Sequence, residues 1–418
     1  MRAATRATYV AFAGAGFGFA SWASRIPQVK ARLDLDPSQL GFVLLSLAAG
    51  SVISLPLAGP IVARFGSRRT VMATGVLGGV GLVVVGVGYR SGVAPVVAGL
   101  FCWGAAAGTW DVAMNVQGAV VERLLGRSIM PRFHAGFSLG TVAAALSGAA
   151  MVALGVSVTV HLAIVGVIVG VAVPLMVRDF VPDSAEVVPP TRGATGATGA
   201  AGPGDRGPGG ARDSLGAWRE SRTLVIGLFV LAFAFSEGTG NDWISLATID
   251  RHHVAPALGT LVFATFLGAM TTARWFGPAV LDRYGRVPVV RVLAVLAIAG
   301  LVLFVFGPGI VLAFLGALLW GAGTSLGFPV GMSAGADEPA FAAPRVGVIS
   351  TIGYCAFLGG PPLIGFLAER STVAHALVAV IAVMLVAWAI AGVVRPPRDG
   401  GAAGPGRRAG VEQMSNSL

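Results

Sequence analysis

Charge is what this sequence has least of: Asp, Glu, Lys and Arg make up 11% of 418 residues. A soluble domain carries about a quarter, so a globular protein of this length with a water-facing surface is excluded. Lysine is almost missing, Lys30 standing alone among 29 basic residues. The two cysteines, Cys102 and Cys355, both sit in apolar runs, which argues against a disulfide framework or a cysteine metal site. Also missing are a nucleotide-binding glycine loop, a metal-spaced set of carboxylates and a nucleophile elbow. A membrane enzyme would cluster Asp, His or Lys at one membrane face, and no such cluster is present. The adjacent His252 and His253 lack Cys or acidic partners at ligand spacing. The sequence therefore predicts neither an enzyme nor a bound cofactor. The formal charge of +10 would suggest nucleic acid for a soluble domain. Here it arises because basic residues collect on one side of a membrane, and no nucleic-acid partner is expected.

What the sequence has in abundance is apolar length, with 55% hydrophobic residues. About 20 apolar residues cross a bilayer core. On that measure spans are expected at 8–24, 39–62, 70–89, 94–121, 133–153 and 157–177, then at 223–248, 257–281, 288–306, 309–332, 346–367 and 372–394. The first has the outline of a signal peptide, with Arg2 and Arg6 ahead of an apolar stretch and small residues at Ser21 and Ala23. It reads instead as a span, because the repeat described below requires a partner for the helix beginning near Arg222. The expected organisation is a six-helix bundle over 1–178, a disordered linker over 179–221, a second bundle over 222–394 and a disordered tail over 395–418. The linker, rich in Gly, Pro, Ala and charge, has nothing with which to bury a core.

Basic residues orient the chain. With the N-terminus inside, 22 fall in inner segments, six in outer ones (Arg25, Lys30, Arg32, Arg90, Arg251, Arg370) and one, Arg274, within a span. A multi-pass protein of the cytoplasmic membrane with both termini cytoplasmic is expected. The halves match each other: Arg64-Phe-Gly66 with Arg283-Tyr-Gly285, Trp103-Gly-Ala with Trp320-Gly-Ala, and Pro131-Arg132 with Pro344-Arg345, at offsets of 219, 217 and 213 residues. Three landmarks in one order at nearly one offset indicate a duplicated six-helix unit. Two such halves place a site near the midplane, reached by rocking of one half against the other.

The segment Gly59-Pro-Ile-Val-Ala63-Arg64-Phe-Gly66-Ser-Arg68-Arg69, with its counterpart Asp282-Arg283-Tyr-Gly285-Arg286, resembles the loop signature Gly-x-x-x-Asp-Arg-x-Gly-Arg-Arg of the major facilitator superfamily. The likeness extends over essentially the whole chain. FHAGFSLG at 133–140, EGTGNDW at 237–243 and GGPPLIGFLAE at 359–369 are similar to its MosC-like and YbjJ-like branches, distant relatives of the fucose-type sugar permeases. The resemblance implies twelve transmembrane helices in two pseudo-symmetric bundles, secondary transport and a small-molecule substrate. It also implies gating loops built on Gly59, Arg64, Gly66 and Arg68 in the first half and on Arg274, Asp282, Arg283, Gly285 and Arg286 in the second. Ala63 stands where the family carries Asp, so the loop's charge relay is expected intact only in the second half. Gly277 lies five residues before Asp282 rather than four. The fifth span has TVAAALSGA instead of the Gly-Pro-x-x-Gly-Gly pattern of the family's drug/proton antiporters, which disfavours multidrug efflux.

The residues that carry chemistry are the polar ones inside spans. Gly104, Gly108, Asp111, Asn115, Gly118 and Glu122 recur three or four apart, on one small, polar face of the fourth span. A carboxylate at mid-membrane costs about 2.5–3.5 kcal/mol on insertion scales, so it normally turns toward a wet cavity or a protein partner. In the seventh span Glu237, Asn241, Ser245 and Thr248 share a face with Asp242 and Trp243 beside it, and Gly238 and Gly240 are expected to loosen the helix. Proton or substrate binding is expected at Asp111, Asn115, Glu237, Asn241, Asp242 and Trp243. Several have a plainer reading: a salt bridge from Glu237 to Arg274 or another span, an interfacial or gating place for Asp242, and an aromatic belt for Trp22 and Trp243. Asp111 has one too, as a structural carboxylate. Glu122 reads as a solvated partner of Arg123 and Arg127, Arg25 as an outer-rim charge, Arg274 as a brace of the cytoplasmic gate and His134 as a packing residue. The expected activity is secondary active transport of a small organic solute, coupled to the proton gradient and carried out by a monomer in the bilayer. The alternatives are proton-driven efflux of a drug or metabolite, or a sensor that has lost transport.

Overall fold

The computed structural model describes residues 1–126, 129–183, 216–338 and 341–396. Most of the expected linker and tail, with Arg127, lies outside the described residues. Among the described residues there is no strand, and eleven helices are long and apolar enough to cross a membrane, from Pro37–Phe65 to Val373–Val394. The twelfth is the first helix in the chain, Arg2–Ala23. It is the more polar one, and it packs along the fifth span through glycines: a Cβ on Gly16 or Gly140 would strike the backbone oxygen of Phe137 or Ala13. Small residues that let helix backbones approach are how membrane helices gain contact without a hydrophobic drive between them.

The second span is Pro37–Phe65, the third Ser67–Gly88, the fourth Val93–Leu125, the fifth Met130–Ala153, and the sixth begins at Val158. The second half runs through the seventh span Ser221–His252, the eighth Pro256–Tyr284, the ninth Arg286–Phe306, the tenth Ile310–Thr324 with Gly327–Gly335, the eleventh Ala342–Glu369 and the twelfth from Val373. At equivalent places Gly66 (φ 82°) and Gly285 (φ 78°) each close one span and open the next. A side chain at positive φ is strained, so the loop glycines are a conformational requirement in both halves.

Proline explains the breaks after the first span and within the tenth. Pro27 has no N–H to give the Ala23 carbonyl, and Pro329 none to give the Ser325 carbonyl. The first helix ends at Ala23 and a short helix, Ile26–Leu33, follows; the tenth is interrupted at Ser325–Leu326. The seventh span, where loosening was expected, is continuous. Its glycines are close-approach sites instead: a Cβ on Gly238 would sit 3.1 Å from the Phe357 ring, and one on Gly240 would collide with Phe266.

The halves meet through the second span on the eleventh and the fifth on the eighth. At the face opposite the linker the first pair is tight, because a Cβ on Gly41 would come within 2.6 Å of the Pro361 carbonyl oxygen. The short helix Ile26–Leu33 also reaches across from the first half to the seventh span.

A candidate transport site between the halves

Asp111 lies midway along the fourth span. Asn115, one turn on, donates from Nδ2 to the Asp111 carbonyl (2.8 Å) and to its Oδ1 (3.3 Å). No cation pairs with Asp111 among the described residues. Across the junction, Tyr354 of the eleventh span lies within electrostatic reach of that carboxylate. Its ring is 6.2 Å from that of Phe357, which covers Gly238 of the seventh span. The next residue back is Glu237. Asp111 and Asn115 of the fourth span thus lie near Tyr354 of the eleventh, which neighbours Phe357, and Phe357 packs on the seventh span at Gly238, beside Glu237 in the sequence.

Glu237 takes its plainer role. Its Oε2 is 2.7 Å from Arg274 Nη2, and Arg274 Nε donates to the Ser325 carbonyl at 3.0 Å. That is the carbonyl Pro329 leaves unpaired, so the proline break supplies the acceptor that orients the arginine. Arg274 is thus held between the Glu237 carboxylate and the Ser325 carbonyl. Behind it Trp320 Nε1 donates to Ser236 Oγ (2.8 Å), which is 3.0 Å from Thr324 Oγ1. From the first half, His134 feels the Arg274 charge, is exposed, and meets Phe12 edge-on at 5.0 Å.

Other expectations change as well. Trp22 and Trp243 are both fully buried, so neither offers a free face to a solute or to an interfacial belt. Asn241 and Ser245 share the Glu237 face but are buried, with Asn241 Oδ1 and Ser245 Oγ unpartnered among the described residues. Asp242 has no hydrogen bond or ion pair among them either. Glu122 Oε2 accepts from the Ile129 and Met130 N–H groups, each at 2.7 Å, and so caps the fifth span, while Arg127, one of its expected partners, lies outside the described residues. Arg25 is no rim charge. It is 2% exposed, and its Nε donates to His161 Nδ1 at 2.8 Å.

The loops expected to gate mirror each other. Arg64 lies 5.6 Å over the Phe65 ring and Arg283 lies 5.3 Å over that of Tyr284. Gly59 faces open space. Asp282, expected to keep the charge relay, is exposed and unpartnered among the described residues. Asp337 does that work, holding Arg286 at 2.6 Å and Arg222 at 3.0 Å, while Arg286 also donates to Ser333 at 2.8 Å. In the first half Asp183 accepts from the Ser67 N–H at 2.5 Å and from its hydroxyl, and Gln117 bonds that hydroxyl at 3.0 Å. Arg68 reaches the Arg178 carbonyl at 3.4 Å.

Sequence reasoning missed Tyr354, His161, Asp183 and Asp337. Tyr354 is one of only four tyrosines and sits in an apolar span, a signal that was available. His161 is one of five histidines, in an equally apolar stretch.

Residues 8–346 match the model of the Major Facilitator Superfamily. The chain is 28% identical over 389 residues to an uncharacterized MFS-type transporter of Yersinia pestis, covering 93% of this chain and 94% of that one. It is 27% identical over 370 residues to the membrane protein MosC of Rhizobium meliloti, covering 88% and 84%. Among solved structures it is similar to the nucleoside transporter NupG, with TM-score 0.72 and 15% identity over 94% of this chain and 98% of that one. It is also similar to FucP in the outward conformation, with TM-score 0.61 and 14% identity over 93% and 98%. The chain is a multi-pass membrane protein that belongs to the Major Facilitator Superfamily.

Proposed function

We propose that this protein is a proton-coupled secondary transporter of a neutral, hydroxyl-bearing small solute such as a sugar, polyol or nucleoside. The observation that carries the reading is Asp111, a mid-span carboxylate with one amide partner and no cation partner among the described residues, within electrostatic reach of a tyrosine of the other half. A carboxylate so placed is costly to keep charged and binds a proton when desolvated. Charge also narrows the solute. Arg274, the arginine at this level, is neutralised by Glu237, so an anion finds no free guanidinium. Asn115, Tyr354 and the Phe357 ring suit hydroxyls and a ring face. The nucleoside and fucose transport named for the structural neighbours agrees with that class. Basic residues favour the linker face as cytoplasmic, and the tight Gly41–Pro361 packing at the other face supports an inward-facing state.

The test is solute flux into proteoliposomes with and without an imposed pH gradient, for the native protein and Asp111→Asn. Native protein should accumulate solute when the gradient is applied. Asp111→Asn should lose accumulation while retaining part of its exchange activity, because the amide cannot carry the proton. Equal accumulation by both proteins removes Asp111 from the coupling. Inhibition by a sugar acid as strong as that by its neutral parent would overturn the charge argument.

A further inference from the structure

Arg25 occupies the break after the first span, at the N-cap of the short helix Ile26–Leu33. Its guanidinium is buried and donates from Nε to His161 Nδ1 at 2.8 Å. Arginine has donors and no acceptor. His161 Nδ1 must therefore be the bare, accepting nitrogen, and the ring is neutral with its proton on Nε2. The neighbouring elements supply no acid to Arg25 or His161. Tyr89, at the end of the third span, lies within electrostatic reach of Arg25. The fifth span presents Gly148, whose Cβ position meets Ser24 and is 3.8 Å from the His161 ring, and the third presents Gly86 against Leu162. A proton arriving at Nδ1 removes the acceptor and places a second cation at hydrogen-bonding distance from the first, with no counterion among the described residues. The pair then comes apart.

What the pair holds is a bridge between the halves. The short helix is fastened to the first half at Arg25, and it packs on the seventh span of the second half, where Lys30 is within electrostatic reach of Asp250. The fastening is also under-satisfied. Arg25 Nη2, both amide atoms of Gln28, Ser21 Oγ and Thr159 Oγ1 are buried without partners among the described residues. These polar groups gain hydrogen bonds once water is admitted.

We infer that His161 is a proton-binding site separate from Asp111, and that its protonation releases the Ile26–Leu33 helix and opens the face opposite the linker. The inference goes beyond the transport reading and rests only on the two-half arrangement.

The test uses full-length protein in nanodiscs, with Cys102→Ser and Cys355→Ser and one new cysteine. Val29→Cys reports the buried side of the short helix, and Arg32→Cys, which is exposed, normalises for the reactivity of the thiol itself. The ratio of their maleimide-labelling rates should rise roughly threefold or more between about pH 8 and about pH 5.5, across the histidine range. His161→Gln, whose side-chain oxygen still accepts from Arg25 but takes no proton, should hold the ratio flat. His161→Asn serves as a second variant with the same expected result. A pH response persisting in these variants, or a flat ratio with His161 intact, overturns the inference. Labelling needs neither solute nor transport, so this failure is distinguishable from failure of the transport reading.

Discussion

A carboxylate inside a membrane must find a partner or a use, and the mid-span acids Glu237 and Asp111 divide along that line. Glu237 has a partner, and its pairing with Arg274 is anchored by the Ser325 carbonyl. Removing one member of a largely desolvated pair leaves the other uncompensated, which costs about 3–5 kcal/mol when burial is complete. Here the side chains are 28% and 18% exposed, so Arg274→Gln alone should cost less, about 2 kcal/mol. Adding Glu237→Gln should restore part of that loss, because no bare charge remains. Thermal unfolding of the two single variants and the double variant in detergent checks this. Strictly additive losses would show that the pair contributes no coupling. Asp111 was legible because a charge in the middle of an apolar run stands out. Whether Glu237 served a proton or an arginine was not, because Arg274 is 37 residues away and only the packing of the eighth span on the seventh brings them together.

Helix ends show the same division between local and distant causes. Gly66 and Gly285 were readable as loop glycines, because positive φ is a local demand. The break in the tenth helix was equally local, set by Pro329, whereas the expectation of loosening at Gly238 and Gly240 treated glycine as a weak point. In a membrane helix, glycine is more often where a neighbour's ring or backbone packs. Contacts made across a loop or between distant spans were unreadable: Glu122 capping the fifth span, Asp183 on the third, and Arg345 on Glu220 at the start of the seventh. Glu220 permits a pH prediction. Its hydrogen bond from Arg345 at 2.6 Å, assisted by Thr223 at 2.8 Å, holds its carboxyl below the ordinary glutamate value. A depressed folded-state pKa contributes stability above the unfolded pKa and loses it as pH falls through the folded one. Glu220→Gln should therefore lower stability at neutral pH and match the native protein below that acid range. Since the carboxylate is about a third exposed, the neutral-pH loss should be roughly 0.5 kcal/mol. Melting temperatures at neutral and acid pH measure it, and a difference that does not shrink in acid contradicts a role for the Arg345–Glu220 ion pair.

At the scale of the whole molecule, the duplicated sequence landmarks became two six-helix bundles, while the state in which those bundles stand left no mark in the sequence. That state depends on contacts between halves, and at the face opposite the linker these rest on small residues. Gly41 lies against Pro361 and Pro362, and Gly365 against Pro37. A Cβ on Gly41 would lie 2.6 Å from a backbone oxygen and 2.9 Å from a backbone carbon, neither of which rotates away. Gly41→Val should therefore drive the second and eleventh spans apart at this face. The bundles themselves should stay folded, since each keeps its own internal packing. Nitroxide labels at Arg32 and His253, which are exposed and belong to different halves, read the separation by double electron–electron resonance. The variant should show a longer mean distance than the native protein. A one- or two-state shift of this kind follows if packed interfaces switch between discrete arrangements instead of deforming continuously. An unchanged distance distribution in a folded Gly41→Val protein would mean that the closed face is held elsewhere, with the short helix Ile26–Leu33 and its fastening at Arg25 the remaining connection to examine.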